Sequence, residues 1–126
     1  MERNLYGFLI DERILFDVRS KRIVYYCFDE CDKPVIFKAA SLNETQARLF
    51  SYLMMHSQKD LIEKSEILQH VWDSYGLSSS NQRLWQSINV IRKKLSYFGL
   101  HDDFIKNVHG TGYCVDKDKV SLLLVH

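Results

Sequence analysis

Proline, glycine and cysteine are scarce in this sequence, which has one, five and three of them in 126 residues. A collagen-like chain needs glycine at every third position, so that class is excluded. Apolar residues make up 46% of the sequence and aromatic residues 13%, which is enough for a packed core and excludes a disordered tail. Length and composition are those of one folded domain, and we expect a single domain over residues 1–126.

Long apolar runs are also missing. The C-terminal segment 120–125 is far shorter than the roughly 18–20 apolar residues of a membrane helix. Residues 1–4 lead into short alternating segments and lack the apolar region of a signal peptide. The sequence therefore predicts a cytoplasmic protein.

Motifs that carry catalysis or bind metals do not occur. The five histidines lack metal-ligand spacing, and there is no nucleophile elbow or phosphate-cradling loop. We therefore expect no catalytic site, metal site, cofactor or small-molecule substrate. The odd number of cysteines (Cys27, Cys31 and Cys114) predicts reduced thiols. A disulfide switch between Cys27 and Cys31, across a turn, is the alternative.

The first third of the chain contains short runs of β-branched and aromatic residues, separated by polar or turn-forming residues. Such runs predict a small antiparallel meander. The runs are 6–10, 14–16, 22–28 and 35–37. They predict an N-terminal four-stranded antiparallel sheet over about residues 5–40.

Apolar residues recur at helical spacing after residue 43. Three helices are predicted, at 44–56, at 64 or 65 to 73, and at 81–98, with a short bridging strand at 61–62. Ser80 or Asn81 fits the N-cap of the third helix, and Gly99 fits the position after its end.

Two strand-like segments around Gly110-Thr111-Gly112 predict a closing β-hairpin over about 104–115. The predicted fold class is therefore α+β. It is a winged helix-turn-helix with the N-terminal four-stranded antiparallel sheet, a three-helix core over about 43–98, and a C-terminal β-hairpin wing.

Charge is unevenly distributed although the net charge is only +1. No Asp or Glu occurs from Tyr75 to His101, whereas an ordinary surface helix mixes both signs. In the third helix, an apolar stripe is formed by Leu84, Ile88, Ile91 and Leu95. Opposite this stripe lie amide side chains and one lysine, which suit base edges in the major groove of DNA. The predicted base-contacting residues are Gln82, Gln86, Ser87, Asn89 and Lys93.

Cations beside this face and polar residues on the hairpin are predicted to contact the DNA backbone or the minor groove. They are Arg83, Arg92, Lys94, Lys106, Asn107, His109, Thr111 and Tyr113. An alternative leaves Val108 and Tyr113 packed inward in a hairpin that only closes the core. A second alternative is a winged helix that binds a protein partner, because Trp85 and Tyr97 lie off the apolar stripe and the net charge is low.

The segments 81–95 and 108–113 (NQRLWQSINVIRKKL and VHGTGY) resemble the OmpR/PhoB-type winged helix-turn-helix DNA-binding domain. Leu42-Asn43-Glu44 with Leu49-Phe50 resembles its first helix, and Ile67-Leu68 with Val71-Trp72 resembles its second. The resemblance implies binding to double-stranded promoter DNA, with a homodimer on DNA and an RNA polymerase contact through the loop 75–80. His109 stands where arginine is common in that family.

The segment Gln86-Ser87-Ile88 is similar to the ToxR/CadC-like, membrane-anchored branch of that family. There is no room in this sequence for the receiver domain that precedes most family members. The alternative to a simple cytoplasmic protein is therefore the cytoplasmic domain of an inner-membrane regulator whose membrane segment lies outside this sequence.

Overall fold

The computed structural model describes residues 4–28 and 34–125, and the chain forms two compact units. One unit contains the N-terminal part to Asn43 and the C-terminal part from Asp118, and the other is Glu44–Lys117. The single domain over residues 1–126 stays a prediction. In chain order, the elements are β1 (Asn4–Ile10), β2 (Ile14–Asp17), β3 (Arg22–Phe28), β4 (Pro34–Ser41), α1 (Glu44–Met55), β5 (Ile62–Glu63), α2 (Lys64–Val71), α3 (Asn81–Tyr97), β6 (Ile105–Val108), β7 (Gly112–Val115) and β8 (Val120–Val125).

The first unit is an antiparallel sheet with the strand order β4-β3-β2-β1-β8. Phe8 lies opposite Phe16, and Phe16 lies opposite Ile23 on the next strand. Residues directly opposite each other point to the same face of a sheet, so these buried side chains share one apolar face. The rings of Phe8 and Phe16 stack with their centroids 6.3 Å apart.

This sheet has five strands among the described residues, whereas the sequence predicted four. The additional strand, β8, pairs with β1 from Ile10 opposite Val120 to Asn4 opposite Val125. A six-residue apolar segment has little local signal of its own, and its partner strand lies at the other end of the chain. Asp32 and Lys33, between the predicted strands 22–28 and 35–37, and Cys31 of the alternative disulfide lie outside the described residues.

The second unit contains the three helices, and their order and positions confirm the sequence prediction. The helix α2 ends at Val71, two residues before its predicted end, because a short 3-10 turn at Asp73–Tyr75 follows. All four residues of the predicted apolar stripe on α3 are buried. The helical period therefore identified the inward face of α3 correctly.

The helices α1 and α2 are joined by polar contacts. The Tyr52 hydroxyl donates a 2.5 Å hydrogen bond to Glu66, and the Lys59 ammonium lies 3.1 Å from the same carboxylate oxygen. Burial and this hydrogen bond raise the pKa of Tyr52. The two donors lower the pKa of Glu66, the Tyr52 bond having the larger effect. Arg48 adds a hydrogen bond to the carbonyl of Val71 at 2.9 Å.

Both ends of α3 carry the capping groups that the sequence predicted. The Ser80 hydroxyl accepts a hydrogen bond from the Arg83 amide at 3.0 Å, which satisfies one of the unpaired donors of the first turn. At the other end, the amides of Gly99 and Leu100 donate to Ser96 and Leu95, as in a Schellman motif. Gly99 has φ +85°, a conformation that favours glycine.

The wing is the hairpin β6–β7, with β5 on the other side of β7. His109 and Gly110 both have positive φ, and the Thr111 amide donates to the Val108 carbonyl at 2.9 Å. Three residues connect Val108 to its partner Gly112, and the two positive φ values give this turn the twist that a hairpin requires. Gly112 has a different role, because a Cβ there would lie 2.2 Å from the Ile62 carbonyl oxygen. Its missing side chain lets β5 pair closely with β7.

Candidate nucleic-acid interface

The outward face of α3 presents most of the predicted base-contacting residues to solvent. Gln82, Gln86 and Lys93 are exposed, while Ser87 and Asn89 are half-buried. The buried stripe fixes the rotation of the helix about its axis, so Gln82, Gln86, Asn89 and Lys93 share the outer face of this 17-residue helix. Ser87 lies beside the buried stripe and not on the outer face.

Two of the predicted backbone contacts flank this face. Arg83 is exposed, and its guanidinium donates to the Ser78 carbonyl at 3.1 Å, so it also fixes the loop before α3. Lys94 is half-buried. Both cations lie on the helix whose outer side lacks carboxylates.

Arg92 joins α3 to the wing. Its Nε and Nη2 atoms donate to the Ile105 carbonyl oxygen at 3.1 and 2.5 Å, and Nη1 lies 3.3 Å from Oδ1 of Asn89. The sequence predicted a backbone contact for this residue. In the structure its guanidinium holds the start of β6 against α3, and it orients the Asn89 amide.

The tip of the wing presents Lys106, Asn107, His109 and Thr111, all of them exposed. Oδ1 of Asn107 accepts a hydrogen bond from the Gly110 amide at 3.0 Å, and the Thr111 hydroxyl donates to the Val108 carbonyl at 2.9 Å. These bonds stiffen the turn. Lys106, on β6, supplies a positive charge on this surface of the wing.

Tyr113 lies in the core and not on the wing surface, because only 1% of the residue is exposed. Burial raises the pKa of its phenol, and the positive charge of Arg92 acts in the opposite direction. The alternative in which Tyr113 packs inward is therefore the one that describes this residue. We therefore leave Tyr113 out of the interface.

An open groove runs between α3 and the wing. It brings together three predicted base-contacting residues of α3 and two predicted wing contacts. Its lining residues are Trp85, Gln86, Asn89, Val90, Arg92, Lys93, Ser96, His101, Asp102, Asp103, Ile105, Lys106 and Asn107. Six predicted residues that are not buried are absent from this lining: Gln82, Arg83, Ser87, Lys94, His109 and Thr111.

Two features of the groove were not among the predicted site residues. Trp85 is 57% exposed and lines the groove, and its position off the apolar stripe was the available signal. Asp102 and Asp103 are exposed on the same groove, where Oδ1 of Asp103 lies 2.9 Å from Nδ1 of His101. Carboxylates repel phosphates, so this part of the rim is unsuitable for the DNA backbone.

Three helices followed by a β-hairpin define a winged helix-turn-helix, in which the third helix is long and has a polar outer face. Residues 38–115 match the family model described as "Transcriptional regulatory protein, C terminal". The match covers more than half of the chain, and the chain belongs to this family of OmpR/PhoB-type DNA-binding domains. It is thus a DNA-binding domain of a transcription regulator, and its family is a regulatory one and not a family of enzymes.

Among solved structures, the chain is similar to the DNA-binding domain of E. coli CadC. The TM-score is 0.64 at 16% sequence identity, and the match covers 98% of each chain, which shows the shared fold. No curated protein sequence matches this chain. Every helix in the described part of the chain is too short or too polar to cross a membrane.

Proposed function

We propose that the second unit binds double-stranded promoter DNA with α3 in the major groove and the wing on the neighbouring backbone. The observation that carries this proposal is the outer face of α3, which presents amides and a lysine and has no carboxylate along its length. A helix of this kind fits the major groove, where amide and cationic side chains pair with base edges. The wing then places Lys106 and His109 beside a phosphate strand.

We further infer that the protein acts by binding DNA and catalyses no reaction. Its place of action is the cytoplasm, where a bacterial chromosome is accessible. The alternative remains a cytoplasmic domain anchored through a membrane segment outside this sequence. A second copy on adjacent DNA, as the family resemblance implies, would double the recognised sequence. None of these steps needs a cofactor, a metal ion or a small-molecule substrate.

Within the predicted base contacts, Gln86 and Lys93 are the strongest candidates. Both are exposed and line the groove. Asn89 also lines it, but its amide oxygen already lies 3.3 Å from Arg92. A bidentate pair with adenine needs both the amide oxygen and the amide nitrogen, so Asn89 would have to share that oxygen with Arg92.

Substituting Gln86→Ala tests the placement of α3. We expect the variant to lose about 1–3 kcal/mol of discrimination at one base-pair position of the preferred duplex, because one bidentate contact is removed. The preferred duplex is selected from a randomised pool, and fluorescence anisotropy then measures affinity for all single-base variants of it.

Thr111→Ala is the matched control, since this exposed wing residue should touch the backbone at most. Its effect should be equal on every sequence. Uniform weakening by Gln86→Ala, with the base preference of every position intact, would contradict the placement of Gln86 on base edges.

The loop 75–80 is proposed as the contact for RNA polymerase. Tyr75 is 58% exposed and Leu77 is 41% exposed, and apolar side chains displayed on a loop favour a protein partner. The Arg48 guanidinium lies 3.6 Å from the centroid of the Tyr75 ring, and Ser79 donates to Asp73 at 2.8 Å. The loop is therefore held in shape before any partner binds.

The double substitution Tyr75→Ala and Leu77→Ala should leave DNA affinity unchanged within about twofold, because the loop lies outside the groove. It should abolish most of the stimulation of transcription by purified RNA polymerase on a template carrying the selected site. Met55→Ala, at another exposed apolar residue, is the control. Full stimulation by the double variant would exclude this contact.

A further inference from the structure

Trp85 lines the groove, and none of the proposed DNA contacts accounts for the exposure of its side chain. The two tryptophans of the sequence differ sharply, since Trp72 is 3% exposed and Trp85 is 57% exposed. A tryptophan side chain offers more apolar surface for burial than most others, so leaving it in water forgoes a large stabilisation. A binding role accounts for an exposed indole at this place.

The position of Trp85 restricts what can cover it. Trp85 precedes Asn89 by four residues, and Asn89 precedes Lys93 by four, so the three lie along one side of α3 about 6 Å apart in rise. All three line the same groove. A duplex that contacts Asn89 and Lys93 through base edges therefore meets Trp85 one helical turn earlier.

The chemistry of the indole selects one feature of the major groove. Its faces are apolar, and its single N–H donates but cannot accept. Among the groups that base pairs present there, the apolar one is the 5-methyl group of thymine. We propose that Trp85 recognises a thymine through this methyl group and so determines one position of the binding site. This inference rests on the proposed function. It adds to the hydrogen-bonding base contacts one base contact that is apolar.

Deoxyuridine differs from thymidine only by the missing 5-methyl group, so it tests the contact at the level of one carbon atom. In the selected duplex, each thymine is replaced in turn by uracil, and affinity is measured by anisotropy. For the unmodified protein, one replacement should weaken binding about fourfold, as expected when one buried methyl group is lost. The remaining replacements should leave affinity unchanged.

The variant Trp85→Ala should bind the thymine and uracil duplexes equally at that position. Trp85→Phe keeps an apolar ring and should retain part of the difference. The control is Tyr97→Ala, because Tyr97 is an equally exposed aromatic residue of α3 that does not line the groove. This control should keep the full fourfold difference, and thermal unfolding should show that all three variants remain folded.

The possible failures are distinguishable. Selective DNA binding with no uracil effect, or a uracil effect that persists in Trp85→Ala, overturns the thymine contact and leaves the proposed function standing. A Trp85→Ala variant that weakens binding to thymine and uracil duplexes alike, with their ratio unchanged, also overturns it. Failure to bind or select any duplex would reject the proposed function, and with it this inference.

Discussion

Raising the salt concentration from about 50 to about 200 mM should weaken the binding of this domain to duplex DNA by about 40-fold. The reason is counterion release. The proposed interface places about three cations on phosphates, and each displaces condensed counterions from the duplex. They are Arg83, Lys94 and Lys106. The slope of log affinity against log salt concentration is then about −2.7.

Anisotropy titrations of a random duplex at several salt concentrations measure this slope. Lys106→Ala should reduce its magnitude by about one, since one phosphate contact disappears from the wing. The control is Lys59→Ala, because Lys59 pairs with Glu66 between α1 and α2 and does not line the groove. Its slope should equal that of the unmodified protein.

A small slope would have a different meaning. A winged helix that used its groove mainly for a protein partner would show weak DNA binding that changes little with salt. The net charge of +1 is compatible with either behaviour, because the charge of the whole chain does not describe the charge of one face. The experiment therefore tests the distribution of charge that the structure displays on α3 and the wing.

Features of the fold that depend on local sequence were predictable. The apolar stripe of α3, the Ser80 cap and Gly99 after the helix depend on residues within one or two turns of each other. The strand β8 depends instead on pairing with β1, more than 100 residues away along the chain. A short apolar segment contains no information about such a distant partner, and the five-stranded sheet therefore required the structure.

The candidate site likewise combines features that local sequence predicts with features that depend on distant parts of the chain. A helical wheel identified the outward residues of α3, but it gives only the direction in which a side chain leaves the helix. It did not show that the long side chain of Arg92 turns toward the Ile105 carbonyl. For Tyr113 on the wing, the sequence left the inward and outward directions open, and the structure places it in the core. Trp85 was recognised as lying off the stripe, but its place in the groove depends on where the wing lies.

Arg92→Ala should destabilise the domain and also weaken DNA binding on every sequence. Two donors of its guanidinium bond to one buried carbonyl, and a hydrogen bond to a charged group contributes roughly 1.5–3 kcal/mol. We therefore expect the free energy of unfolding to fall by about 2 kcal/mol, measured by urea denaturation. DNA affinity should fall more than tenfold, because the wing loses its attachment to α3 and Asn89 loses its orienting partner.

The neighbouring Lys93→Ala is the matched control, because Lys93 is exposed on the same helix. It should change the free energy of unfolding by less than about 0.5 kcal/mol while weakening binding to the preferred duplex more than binding to a random duplex. Arg92→Lys should behave nearly as Arg92→Ala, since an ammonium cannot reproduce the planar fork of donors. If Arg92→Ala is as stable as the unmodified protein and lowers the salt slope by one, Arg92 is a phosphate contact, as the sequence alone predicted. If stability falls and the slope is unchanged, its part in DNA binding is to position the wing.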